Sequence, residues 1–257
     1  MYNPQGFPKE ILIDMPQIYA SCGIGALLGK KLHIKKIVIN IKEIGIIKNK
    51  DGKLNVDSLK IMQKEEKPET ERKGPGEQLP LKIDELILSV GKVVYRDYTV
   101  GQEPSVQVYE VNIKDKVYKN ITSAQQLTAL IISEPLKKTA ISSAKVFAAS
   151  TILGVGFLPA GVAITLMGKD SGQQTFNMPF DNVYEASLSL LKKSGSVTAE
   201  NEKAGTIKAV VNKNDIHVQV KKITEKTTQL VVSAKKFFLP KPEIANGILL
   251  QISEKLK

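Results

Sequence analysis

Two histidines and one cysteine are all the imidazole and thiol that the chain offers. His33 stands between Leu32 and Ile34, and His217 between Ile216 and Val218, so each takes the polar phase of an alternating apolar segment and falls on the wet face of a strand. Solvated there, with a single thiol at Cys22, they form neither a nucleophile–base pair nor a zinc ligand set. Cys22 excludes an internal disulfide and reads as a small, half-buried residue. Asn49-Lys50-Asp51-Gly52 has part of the composition of a calcium loop. Counting Gly52 as the loop's sixth position, however, puts Ile47 where the first carboxylate belongs, and calcium is rejected. Gly23-Ile24-Gly25 lacks the third glycine and the flanking strand and helix of a dinucleotide site, and reads as a turn. Acidic residues sit singly on polar faces or in one charged stretch, so no carboxylate pair can be nominated for acid–base work. The expectation is a chain that is not an enzyme, with no catalytic residue, metal site or cofactor.

The elements behind these residues are dominated by an internal repeat. Leu32–Gly52 reads LHIKKIVINIKEIGIIKNKDG and Leu81–Gly101 reads LKIDELILSVGKVVYRDYTVG. Without a gap, Leu32, Ile34, Ile37, Val38, Ile39, Ile41 and Ile44 fall on Leu81, Ile83, Leu86, Ile87, Leu88, Val90 and Val93, which is how repeat architectures betray themselves. Within each copy β-branched and polar residues alternate, as a strand with one wet face requires. The polar pairs Lys35-Lys36 and Asp84-Glu85 shift the phase, which predicts a turn or bulge between a short strand and a longer one. Asn49–Gly52 supplies turn chemistry, and Leu54-Asn55-Val56 is expected to return as a strand. Ile11–Ile13 and Ile18–Ala20 flank Met15-Pro16 as short strands, with Val106–Val108 and Val111–Ile113 downstream. These segments give residues 1–121 the pattern of an antiparallel sheet with one apolar face. Gln63–Pro80 is charged, with proline and glycine and almost nothing apolar to offset ordering, so it reads as a mobile loop.

From residue 122 the period becomes helical. Ser123 leads into Leu127, Leu130 and Ile131, and Pro135 is placed where a second helix begins. Val146–Met167 follows without one charge and is about as long as a bilayer-crossing helix. Gly154, Gly156, Pro159 and Gly161 break it, which leaves two readings open: two apolar helices covering the sheet, or membrane insertion. The segment 122–175 is therefore read as apolar and helical. Residues 176–257 read as a small α+β domain. Asp181 caps a helix that ends at Ser194-Gly195; strands follow at Val197–Glu200, Thr206–Val211, Ile216–Val220 and Leu230–Ala234; Pro242-Glu243 opens a closing helix. The fold class expected is α+β: an antiparallel, repeat-built sheet, a helical segment, and a helix, β-meander and helix domain.

At 257 residues and 42% hydrophobic content the chain can bury a real core, and two domains are the preferred division. Its net charge of +11 favours polyanionic partners, an anionic membrane surface among them. Aromatics at 5%, the lack of tryptophan and the spread of basic residues along the chain argue against nucleic acid. The first eight residues show no basic region followed by an apolar run, so the expectation is a protein that stays inside or a chain that begins after its export signal.

The two Leu-x-Ile-x-x-apolar-x-apolar openings, the Ile46–Asp57 ending IIKNKDGKLNVD and the Val94–Tyr98 stretch VYRDY resemble the AsmA-like family of bacterial envelope proteins. The resemblance covers Leu32–Leu59 and Leu81–Ile113, and Asn49–Asn55 is its most specific piece. It implies a periplasmic, membrane-associated sheet folded into a groove with an apolar interior, and a role in phospholipid movement and outer-membrane assembly. The expectation from this resemblance is a chain that opens where family members are already in strand, with the family's N-terminal anchor helix missing from it. On that reading Ile37, Ile39, Ile41, Leu86, Leu88 and Val90 form the wall against which acyl chains lie. Ordinary core is the alternative for the same six residues, and a structural adaptor that docks an envelope protein partner is the alternative for the whole chain. Asp181–Leu256 is similar to an uncharacterised family of small bacterial lipoprotein-like domains, without their lipobox cysteine, and no function follows from it.

Overall fold

A computed structural model of the chain describes residues 1–22, 32–59, 81–99, 103–141 and 171–256. The protein is α+β and largely antiparallel, and its described residues form a five-stranded and a six-stranded sheet. It divides into two compact units: one of Met1–Asn49, Lys53–Val93 and Glu110–Ile164, the other of Lys50–Gly52, Val94–Tyr109 and Thr165–Lys257. This division departs from the sequence segments in giving Val94–Tyr109 to the second unit. There Val94, Val106 and Val108 pack with Leu250, and Gln251 Nε2 donates to the Pro104 carbonyl at 2.9 Å.

The first sheet is built around β3 (Leu32–Lys48). Strands β1 (Ile13–Asp14) and β2 (Gln17–Cys22) pair antiparallel with it, β2 along its first part and β1 further on, with Met15-Pro16 between them. Beyond β3 come β4 (Leu81–Asp97) and β5 (Ser105–Ile121). The short connection from Asp97 to Ser105 makes β4 and β5 an antiparallel hairpin, because two long strands cannot run parallel across so few residues. Ser89 and Asp115 accordingly meet across the pair, with Asp115 N donating to Ser89 Oγ at 2.9 Å.

The repeat pair is the exception to the antiparallel rule. His33, Lys36 and Glu43 of β3 bond to Asp84, Glu85 and Lys92 of β4, partners that lie 51, 49 and 49 residues further on. Partner numbers that rise together along both strands require a parallel pair, and the offset of 49 is that of the sequence repeat itself. Gly91 fits the same register. A Cβ there would come 2.8 Å from the carbonyl oxygen of Lys42, its repeat mate, so glycine permits a close approach of the two backbones.

Burial follows the repeat. Ile37, Ile39, Ile41 and Ile44 are buried in β3, and Leu86, Leu88, Val90 and Val93 in β4. The expected interruption at Lys35-Lys36 is a bulge, not a turn: β2 pairs Ser21 with Lys36 and Cys22 with Ile34, skipping Lys35, while β3 runs on unbroken. Val106–Ile113 likewise belongs to one long strand, in which Asn112, Asp115 and Asn120 take left-handed φ values.

After β3, Lys48 bridges to Leu54, and Asn49 N bonds to the Lys53 carbonyl at 2.9 Å. Asn55-Val56 does not continue as the expected strand but opens a 3-10 turn, Asn55–Ser58. The reason is the Asn55 side chain, which is fully buried. Its Oδ1 accepts from Ile47 N at 3.0 Å and Val56 N at 2.9 Å, and its Nδ2 donates to Gly45 O at 2.9 Å and Asn3 Oδ1 at 2.8 Å. One amide thus satisfies backbone groups that a further strand would have paired. Helix α1 (Ala124–Leu136) is capped by Ser123, whose Oγ accepts from Gln126 N at 3.1 Å. Pro135 sits in its last turn and does not begin a new helix. A proline lacks the N–H that would prolong the ladder, and the helix closes one residue later.

The second unit folds as two helices on one face of an antiparallel sheet. Its strands are β6 (Ser171–Phe176), β7 (Ser196–Asn201), β8 (Thr206–Val211), β9 (Asn214–Thr224), β10 (Thr227–Lys236) and β11 (Leu239–Pro240). They form the meander β7 to β10, with β6 and β11 both on the outer edge of β10. Alternation is clean: Ile207 and Ala209, Ile216, Val218 and Val220, and Leu230, Val232 and Ala234 are buried under α2 (Phe180–Ser194) and α3 (Pro242–Lys255). Asp181 is not the cap of α2. It lies in the first turn, where its charge favours the helix N-terminus, and Pro179 holds the cap position. Ser171–Phe176 is strand where the sequence pattern gave helix. The segment has no apolar alternation of its own and is drawn into the sheet by pairing with β10. The expected loop at 63–80, the uncharged run at 146–167 and the turn at 23–25 lie outside the described residues.

Replacing Asn55 by alanine should cost about 2–4 kcal/mol, since it strands several buried backbone groups at once. Urea unfolding checks this, and a change under about 0.5 kcal/mol, the range of an ordinary surface substitution, would contradict it.

Candidate lipid-contact surface

The structure brings the six wall residues together. Ile37, Ile39 and Ile41 of β3 lie beside their repeat mates Leu86, Leu88 and Val90 of β4, all six on one face of the sheet. The face is continuous, as the repeat implies, but it is closed: the most exposed of the six, Ile37, shows 8% of its surface. These are interior positions, which an acyl chain reaches only where their cover opens. In the second unit a shallow hollow of about 50 Å³ is bordered by Lys193, Ser194, Asn212 and Gln251. Ligand pockets run to about 300 Å³ or more, so this one accommodates neither a lipid nor a cofactor.

Cross-strand charged pairs join β3 to β4. His33 Nε2 lies 2.7 Å from Asp84 Oδ2, Lys36 Nζ 3.1 Å from Glu85, and Lys92 Nζ 3.1 Å from Glu43. The hydrogen bond to His33, and then that to Lys82, hold the Asp84 carboxyl below its ordinary value. The His33–Asp84 pair is half-buried. His217 is exposed on the open face of the second sheet, between Lys208 and Ser233 on the neighbouring strands. Cys22 is exposed, not half-buried, because it ends the edge strand β2. Among the described residues no three metal-ligating side chains cluster, and no helix is long and apolar enough to cross a membrane.

One buried charge escaped the sequence pattern. Glu134 of α1 is 5% exposed, and its carboxylate takes Lys116 of β5 on one oxygen and Lys137 on the other at 3.0 Å. Burial alone raises this carboxyl, but the hydrogen bonds from Lys116 and Lys137 outweigh it and bring the group below its ordinary value. The Tyr118 hydroxyl is buried beside it, and burial, then the Glu134 charge, raises that phenol. Two ammonium groups clamp one carboxylate here, an arrangement that fixes α1 to β5 and leaves no free base. Its only trace in sequence is a glutamate among the apolar residues of a predicted helix.

Because the Glu134 value is depressed by folding, the stabilisation is complete above the ordinary glutamate value of 4.5 and is lost as pH falls through the lower folded value. Glu134→Gln should lower stability by about 1–3 kcal/mol at neutral pH and flatten the acid limb of a stability–pH profile. Parallel acid limbs in the two proteins would contradict this.

Neither a family model nor a curated protein matches the chain.

Proposed function

We propose that this chain is a non-enzymatic cell-envelope protein of AsmA-like type, periplasmic and membrane-associated, that works in contact with lipid and supports outer-membrane assembly. The observation that carries the reading is the repeat pair. Two copies of one alternating segment lie side by side in their own register, so that their apolar residues make one unbroken face across β3 and β4. Such a face suits acyl chains because it offers width and length without polar interruption. The excess of lysine directs the molecule to anionic surfaces. Among the described residues the buried Glu134 carboxylate is paired with two lysines, which is compatible with a non-enzymatic reading.

A second reading is favoured by one specific observation, the closure of the wall. If the six residues stay covered, the sheet is a rigid frame and the molecule acts as a structural adaptor for an envelope protein partner.

The two readings separate on extraction of the purified chain with organic solvent and mass spectrometry of the extract. Phospholipid recovered in near-stoichiometric amount, and lost when Leu88→Asp is placed in the wall of a chain that still folds, is the expected result. Lipid-free protein would overturn acyl-chain holding and leave the adaptor.

A further inference from the structure

The two most exposed large apolar residues among those described are adjacent. Phe237 is 81% exposed and Phe238 94%, and Leu239 follows at 65%. They form the tip of the β10–β11 hairpin, where Lys236 pairs with Leu239 and the two phenylalanines make the whole loop. Both have left-handed backbone, φ +48° and +67°. Two successive positive φ values are those of the tight hairpin turn that asparagine and glycine fill without strain. Bulky aromatics there are unfavourable for the backbone and unfavourable for solvation, so neither folding nor solubility accounts for them.

The surroundings are basic. Lys235 and Lys236 lead into the turn and Lys241 follows it, while Lys213, in the β8–β9 turn, sits at the same end of the sheet because Val211 pairs with Asn214 and Asp215 with Lys235. Among the described residues Lys213, Lys235 and Lys236 have no ion-pair partner, while Lys241 lies 3.8 Å from Glu243. The nearby acids are Asp215 and Glu243, outnumbered by the four lysines. The chain also enters the sheet at this end: Ser171, just after the uncharged sequence Val146–Met167, pairs with Ser233.

We propose that Phe237, Phe238 and Leu239 form a docking tip that inserts into the interface of an anionic bilayer, with Lys213, Lys235 and Lys236 on its headgroups. A convex turn with two aromatics at its apex suits a deformable apolar layer, in which no matching pocket is needed, and the lysines select the anionic leaflet. This deepens the lipid-contact reading by naming the surface that meets the membrane, and it is independent of whether the sheet interior holds acyl chains.

The turn permits a variant that keeps the fold and removes the tip. Phe237→Asn with Phe238→Gly should leave thermal stability equal or higher, since the new residues suit the turn. It should weaken sedimentation of the full chain with phosphatidylcholine–phosphatidylglycerol vesicles at low salt by at least about tenfold. Lys235→Gln with Lys236→Gln should abolish most of the preference for these vesicles over pure phosphatidylcholine. The chain has no tryptophan, so Phe238→Trp is a single reporter; its emission should shift to the blue on the anionic vesicles and be quenched by brominated lipid. Unchanged vesicle binding by the asparagine–glycine variant, or a tryptophan that stays solvent-exposed on bound vesicles, overturns the tip while the lipid-contact reading stands. No vesicle binding by the unaltered chain overturns the tip together with the membrane contact, and leaves the extraction result to decide the sheet interior.

Discussion

Everything in the first sheet depends on β3 and β4 pairing in parallel at the offset of their sequence repeat. In a strand the two faces alternate residue by residue, so a slip of one position would turn Ile37, Ile39 and Ile41 outward and bring Lys36, Asn40 and Lys42 inward. Two features hold the register. Apolar mates pack side by side on the covered face, and the ion pairs of Lys36 with Glu85 and Glu43 with Lys92 both form at the offset of the repeat. Exposed pairs of this sort contribute little to stability, but they discriminate between registers, since a shifted strand would break both. Gly91 adds a steric condition, because the backbones approach too closely there for a side chain.

The apolar wall is continuous and covered, and the buried Glu134 is held between two lysines. On the proposed reading, contact with a membrane falls to the β10–β11 turn, whose residues suit it. The proposal gives the two sheets different tasks, the first an apolar surface and the second a basic, aromatic point.

Much of the fold was legible because period-two alternation is strong wherever one face is buried. The repeat mates, the four meander strands and the two helices of the second unit stand where Ile37–Ile41, Leu86–Val90, Thr206–Val211 and Pro242-Glu243 indicate. Strand direction was not legible: alternation is the same in parallel and antiparallel pairs, and only the cross-strand ions reveal that β3 and β4 run together. Asn55 misled for a related reason. Flanked by Leu54 and Val56 it reads as the polar phase of a strand, whereas its side chain satisfies backbone groups and starts a turn. Ser171–Phe176 carries no signal of its own, being strand only because β10 has a free edge. The Phe-Phe turn was invisible to pattern because turn chemistry predicts glycine or asparagine at those positions, and a hairpin built on two phenylalanines contradicts the rule by which hairpins are found.

The pairing of β3 with β4 is tested most directly by a disulfide across it. In a Cys22→Ser background, Lys36→Cys with Glu85→Cys places two thiols on neighbouring strands at positions whose present side chains meet at 3.1 Å, and a disulfide accepts Cα separations of about 4.4–6.8 Å. Rapid oxidation of this pair, together with failure of Lys36→Cys to bond Lys92→Cys, is the predicted result. Oxidation of the second pair and not the first would mean that the strands run in opposite directions or in another register, and would contradict the account.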